Sequence, residues 1–229
     1  MRANARVLML CSLVGSLLSS SASAVTVPFE ESFSVNASNW KNTAYGNPIY
    51  VASGGSDGGG YIRHTFAFSS SSSTTPVLFR GHDEFNASGG AFVGNWIADG
   101  ATKVKAKVRH NFPQPTTFFA RFADPAFFPG AIGIDFAPVF PNVWSEIEFG
   151  IYNGNPQFIE FEGSDFHTIF SNIGKVQFGV SEPAAFANDP TLYTYELDQV
   201  LVVPEPASLA IVLGLAVCGL LQRRRRLAR

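Results

Sequence analysis

The chain has 229 residues, 46% of them hydrophobic and 15% charged, with 22 phenylalanines and two cysteines. Cys11 and Cys218 both lie in apolar stretches near the ends, so the long segment between them can use neither disulfides nor thiolate metal sites. The formal charge of −2 hides a division: residues 25–203 carry nine basic and seventeen acidic side chains, a net of −8, which argues against nucleic acid and anionic lipid as partners.

Taken in order, Arg2 and Arg6 precede an apolar core at residues 7–18, and small residues ending Ala22-Ser23-Ala24 follow. This is the pattern of a secretory signal peptide over residues 1–24, with cleavage expected after Ala24. Cys11 lies inside the apolar core rather than just after it, so it does not read as a lipoprotein acceptor. Residues 25–203 then suit one domain with its own core.

Within that domain the hydrophobic period is two almost throughout. Strands are expected at 27–33, 49–52, 61–68, 77–80, 91–97, 102–112, 117–122, 132–136, 144–152, 158–162, 173–180 and 192–203. Turn residues separate them: Asn47-Pro48, a glycine-rich run at 54–60, Pro113, Pro115, Pro129-Gly130, Pro138, Pro141 and Asn153-Gly154. No window sustains a helical period. The expected class is all-β, an antiparallel β-sandwich. The serine-rich run at 69–75 reads as a loop.

Two strands have clear faces. Val104, Ala106, Val108 and His110 alternate with Lys103, Lys105, Lys107 and Arg109. That basic stripe reads as a site for acidic polysaccharide or as a solvated face that blunts edge pairing. His110, on the apolar side, reads as a hydrogen-bonded core histidine. In 144–152, Ile147, Phe149 and Ile151 oppose Glu146 and Glu148. Trp40, Trp96 and Tyr50 are flat rings that would serve either as stacking platforms for sugars or as core fillers.

Little in the chain carries catalysis. Residues 54–58 match G-x-S-x-G around Ser56, but the run continues as glycine into a strand and lacks the helix that a nucleophile elbow requires. The four histidines form no metal-binding spacing, and there is no P-loop, dinucleotide fingerprint or EF-hand.

The opening VPFEESF and the closing YELDQVLVV resemble the first and last strands of jelly-roll carbohydrate-binding modules. That resemblance implies a jelly-roll-like sandwich with those strands adjacent. It also implies a structural calcium, for which Glu30, Glu31 and Asp198 are the candidate carboxylates. Glu146-Ile147-Glu148, with Phe166-His167-Thr168 downstream, resembles the laminarinase-type glycosidases, whose E-I-D-x-E motif supplies nucleophile and acid/base. Here Glu148 replaces the middle Asp and Gly150 stands where the final acid belongs, so the family mechanism is incomplete.

The tail, residues 204–229, has three parts. Pro204, Glu205 and Pro206 come first, then an uncharged apolar run at 207–221, then Arg223, Arg224, Arg225 and Arg226. Fifteen residues at about 1.5 Å each span roughly 22 Å, short of a bilayer core of about 30 Å. The run therefore suits a temporary anchor, with the arginines cytoplasmic and the prolines keeping the approach extended. In this order the tail resembles the PEP-CTERM sorting signal of exported proteins in Gram-negative bacteria. That implies recognition by an exosortase, transient residence in the inner membrane, removal of the helix, and a destination at the cell surface or outside the cell. Such proteins are associated with biofilm and exopolysaccharide. The expected body is a non-catalytic polysaccharide-binding or structural module; the alternative is a secreted β-glucan-type glycoside hydrolase.

Overall fold

The computed structural model describes residues 25–71 and 73–204. In chain order the strands are β1 (Phe29–Glu31), β2 (Lys41–Asn42), β3 (Ile49–Val51), β4 (Tyr61–Phe66), β5 (Val77–His82) and β6 (Ala101–His110). They continue as β7 (Thr117–Ala123), β8 (Gly130–Ile134), β9 (Ser145–Gly150), β10 (Phe158–Phe161), β11 (Lys175–Ser181) and β12 (Tyr193–Pro204). One short helix, α1 (Phe166–Phe170), precedes β11.

These strands make two antiparallel sheets. The first runs β3-β4-β12-β6-β9, with β1 also paired to β12; the second runs β10-β8-β7-β11-β5-β2. β12 is the axis of the first sheet. One edge follows β6 from Tyr195↔His110 to Pro204↔Ala101. The other is shared by β4 (Leu197↔Ile62) and β1 (Val200↔Glu31). The first and last strands are thus neighbours, as the sequence leads one to expect.

The alternation that predicts the strands also builds the core. Val104, Ala106 and Val108 of β6 and Ile147 and Phe149 of β9 face inward, opposite Phe118, Ala120 and Phe122 of β7 and Val176, Phe178 and Val180 of β11. Phe122 sits within 5.4–6.2 Å of the rings of Trp96, Phe149, Phe158 and Phe170. With no disulfide available, this aromatic packing carries the stability, each buried ring contributing about 1.5–3 kcal/mol.

Three expectations are corrected. Residues 91–97 form turns rather than a strand, because Gly89, Gly90 and Gly94 take positive φ (66°, 80° and 137°) that breaks the pleat; only a single bridge, Gly94↔Ile173, remains. Residues 166–170 are helical, started by Asp165, whose Oδ1 accepts the Thr168 amide at 2.9 Å. β2 arises where no strand was expected.

Among the described residues no helix is long and apolar enough to cross a membrane. Residues 1–24 with Ala24, and Glu205, Pro206, the 207–221 run, Arg223, Arg224, Arg225 and Arg226, lie outside the described residues. Pro204 ends β12 opposite Ala101, and the Val25 amide donates to Asp99 Oδ2 at 3.1 Å, so both ends of the described chain meet at one end of the sandwich.

Candidate functional site

The outer face of the second sheet collects polar side chains that no core requires. Its register sets Lys41, Arg80, Gln177, Arg121, Ile132 and Glu160 in one row across six strands. Two residues further along, on the same face, His82 lies beside Lys175. On the other side of the row Phe119 lies beside Ile134. A hollow of about 300 Å³ opens there, lined by Val77, Phe119, Arg121, Ile132, Ile134 and Ile159 among others. Gly179 makes room for the Phe119 ring that walls it: a Cβ there would collide with that ring.

Each cation in this region lies near an aromatic ring. The Arg80 guanidinium is 4.7 Å from the Tyr45 ring centre, Arg121 5.2 Å from Phe128, Lys175 4.2 Å from Phe127 and Lys41 5.6 Å from Phe85. Tyr45 and Phe128 are open to solvent, at 48% and 66% exposure.

The charges are not equally satisfied. Lys175 is fully buried and donates to Asp83 Oδ1 at 3.0 Å and to Glu84. Burial would raise the Glu84 carboxyl, but hydrogen bonds from Lys175 and His82 hold it below the usual range. Arg121 forks onto Glu162 from Nε at 3.0 and 3.1 Å. Arg80 has no carboxylate partner, and its buried Nε has no hydrogen-bond partner; burial lowers its pKa. His82 stacks on Phe85 at 5.3 Å and 12°. Its Nδ1 lies 3.2 Å from Glu84, and its Nε2 lies 2.7 Å from Gln177 Nε2. Burial pulls its pKa to about 4, so at neutral pH it is uncharged, donating from Nδ1 and accepting the amide at Nε2. Of the row, Arg80 is half-buried and reaches the surface beside an apolar hollow and two exposed rings, while Gln177 and Arg121 are buried and engaged with His82 and Glu162.

The residues singled out by sequence fall elsewhere. Glu30 is exposed, and Glu31 Oε1 accepts the Phe33 amide at 2.9 Å. Asp198 is fully buried; its Oδ2 accepts from Ser56 N at 2.8 Å and Ser56 Oγ at 3.0 Å, tying down the glycine loop. Burial holds the Asp198 carboxyl above its ordinary value. Glu31 and Asp198 reach adjacent strands, but among the described residues no three acidic, histidine or cysteine side chains come together to hold a metal. Trp40 and Trp96 are core residues, fully buried, donating Nε1–H to Ser88 Oγ at 2.9 Å and to the Phe92 carbonyl at 2.8 Å. Tyr50 donates to the Ser34 carbonyl at 3.0 Å.

The lysine stripe is a cross-strand ladder. Lys103 meets Glu148 at 2.7 Å, Lys105 meets Glu146 at 2.8 Å and Glu148 at 3.1 Å, and Lys107 meets Glu146 at 3.0 Å. Hydrogen bonds, first from Lys105 to Glu146 and from Lys103 to Glu148, hold both carboxyls below the usual range. At Gly150 a Cβ would stand 2.7 Å from the Tyr152 ring and 3.1 Å from Asn155 Nδ2, so the position has no free room for an acid side chain. His110 is a core histidine as expected, its Nε2 3.0 Å from the Val139 carbonyl.

No protein-family model matches the chain, and no curated protein matches it. Solved structures do. One is a Clostridium thermocellum endo-1,4-β-D-xylanase fragment holding a family 22 carbohydrate-binding module and a family 10 catalytic module, complexed with xylohexaose (TM-score 0.43, 16% identity, 78% of this chain and 28% of that one). A second is an exo-β-agarase (TM-score 0.49, 8% identity, 79% and 26%). The third is the C-terminal family 22 carbohydrate-binding module of the same xylanase (TM-score 0.43, 12% identity, 77% and 94%). The chain thus spans about a quarter of the first two. All three scores lie below 0.5, so nothing about this chain's ligand follows from them.

Proposed function

We propose that residues 25–203 form a non-catalytic, jelly-roll-like module that binds neutral polysaccharide on the outer face of the second sheet. It is carried on a protein exported by its N-terminal signal and sorted by an exosortase through residues 204–229. The observation that carries the binding reading is the apolar Phe119/Ile132/Ile134/Ile159 hollow on a face that also presents Arg80 and the exposed rings of Tyr45 and Phe128. A pyranose presents hydroxyls at its rim and C–H groups on its faces. Guanidinium and amide groups serve the former, and rings and aliphatic side chains cover the latter. Gly150 in place of the acid/base speaks against glycosidase chemistry.

Affinity electrophoresis of the full-length protein through gels containing xylan, β-glucan or agarose tests the binding. At least one neutral polysaccharide should retard it, and Tyr45→Ala/Phe128→Ala, which removes the two exposed rings, should lose that retardation with melting near that of wild type. Retardation by none of them, or full retention in the double variant, refutes the reading. Sorting is tested by mass spectrometry of cell-surface material. The mature C-terminus should fall near Pro206, and an intact tail ending at Arg229 contradicts it.

A further inference from the structure

The outer face of the first sheet holds a second row, Arg63 of β4, Glu196 of β12 and Arg109 of β6, aligned by register. Glu196 is nearly buried, and both its oxygens are taken: Oε1 by Arg63 Nε at 3.0 Å, Oε2 by Arg109 Nε. The outer ends of the two guanidiniums are held by aromatic groups. Arg63 donates to the Tyr61 hydroxyl at 2.7 Å, and Arg109 lies 4.5 Å from the Trp144 ring centre. Trp144 is in turn fixed by its Nε1–H on the Gly54 carbonyl at 3.2 Å. The arginines are therefore positioned before any ligand arrives.

Beside them lies a hollow of about 300 Å³ whose lining includes Arg63, Arg109, Asn111, Asn142, Thr194 and Glu196. Asn111 Oδ1 already accepts the Thr194 amide at 2.7 Å, which leaves its NH₂ group to donate. The carboxylate and the Asn111 carbonyl oxygen are thus engaged, and the side-chain groups left over, the outer guanidinium N–H groups, the Asn111 and Asn142 amides and the Thr194 hydroxyl, can all donate. A donor-rich hollow with two guanidiniums and one satisfied carboxylate fits a ligand that is acceptor-rich and negative. We infer that it is a site for an anionic sugar residue, one bearing a carboxylate or a sulfate.

The body's net of −8 opposes such a ligand at long range, but screening confines that to about 8 Å at physiological salt. Locally the balance is reversed: Arg63, Lys103, Lys105, Lys107 and Arg109 stand on this face against Glu146, Glu148 and Glu196. The lysines are committed to the ladder with Glu146 and Glu148, so the arginine end of the stripe is where donors remain.

The test is affinity electrophoresis of the full-length protein, at physiological ionic strength, in gels of polygalacturonate, dextran sulfate or plain dextran. Retardation by polygalacturonate alone assigns the carboxylate, by dextran sulfate alone the sulfate, and by both any anionic sugar. Arg63→Gln/Arg109→Gln should weaken it at least about tenfold. Because that variant leaves Glu196 buried without its partners, Asn142→Asp is the second probe. It keeps a residue type that tolerates the left-handed φ of 62° and adds a charge at the hollow. It should weaken binding to a similar degree with melting unchanged. Lys105→Gln removes a charge from the same face away from the hollow and should leave binding near wild type. Absence of retardation by either anionic gel overturns the assignment, as does equal retardation by dextran. So does loss with Lys105→Gln as large as with Asn142→Asp, or normal binding by Asn142→Asp. Tyr45→Ala/Phe128→Ala separates this site from the neutral one, since only the neutral gels should respond to it.

Discussion

Glu182 gives the sharpest quantitative expectation. It follows β11, is only 6% exposed, and faces no cation. Its Oε1 accepts the Thr116 hydroxyl at 2.7 Å, and this bond, with a weaker contact from the Tyr195 hydroxyl, opposes burial without overcoming it. Burial, the largest influence, pushes its pKa from 4.5 up to about 7. The folded state therefore keeps a proton that the unfolded chain releases above about pH 4.5. This contribution to stability is fully present below pH 4.5, falls as pH rises, and is gone above about pH 7. At about 1.4 kcal/mol per pH unit, the interval amounts to about 3 kcal/mol. Glu182→Gln keeps the acceptor for Thr116 and never ionises. Urea unfolding followed by tryptophan fluorescence should find variant and wild type alike near pH 4, with the variant more stable by about 3 kcal/mol at pH 8. The buried histidines act in the opposite sense. His64 and His82, with pKa values near 4, and His110, lowered by burial, cost stability as pH falls from about 6.5. They are common to both proteins and cancel in the difference. A flat difference curve, or one that falls with rising pH, would show that Glu182 is not held neutral by burial.

Three further outcomes are expected. Gly81→Ala would place a Cβ 2.7 Å from the ring of Trp40, which is fully buried and stacked on Phe178 at 6.1 Å, and should cost about 1–3 kcal/mol, read as a drop in melting temperature. Asp83→Asn/Glu84→Gln leaves the buried Lys175 ammonium without a counter-charge and should cost about 3–5 kcal/mol, with Lys175→Met added to the pair restoring much of it in thermal melts. Glu146→Gln removes exposed ladder contacts and should change stability by less than about 1 kcal/mol. In the same samples, reducing-sugar release from β-glucans should be absent in wild type and variant alike; release by wild type that the variant loses would establish an enzyme.

Most of the fold was legible because alternation is a local signal. β6 and β9 follow the apolar and charged positions of residues 102–112 and 144–152, and the pairing of β1 with β12 follows the opening and closing segments. The stretch 91–97 misled because Phe92 and Trp96 are apolar enough for a strand, whereas the neighbouring glycines decide the backbone. The sites were harder to read because they are made by register. Arg80 and Gln177 are ninety-seven positions apart and meet only when β5 lies beside β11. Their trace in the sequence is a single polar residue inside each of three apolar strands: Arg80 in VLFRGH, Arg121 in TFFARFA and Gln177 in KVQFGVS. Trp40 and Trp96 show the converse, since composition cannot distinguish a ring that lines a surface from one that fills a core.

The place of β12 bears on how this protein reaches its shape. The strand that joins β4 and β1 to β6 is the last of the twelve along the chain, and its ion pair with Arg63 closes a separation of 133 residues. Until it arrives, the first sheet is two paired fragments, β3-β4 and β6-β9, and a lone β1, and a topology of such long closures folds slowly, on a scale of milliseconds to seconds. Under the proposed export route that delay keeps the polypeptide threadable. If that route holds, the first sheet of residues 25–204 would stay open until β12 joins it.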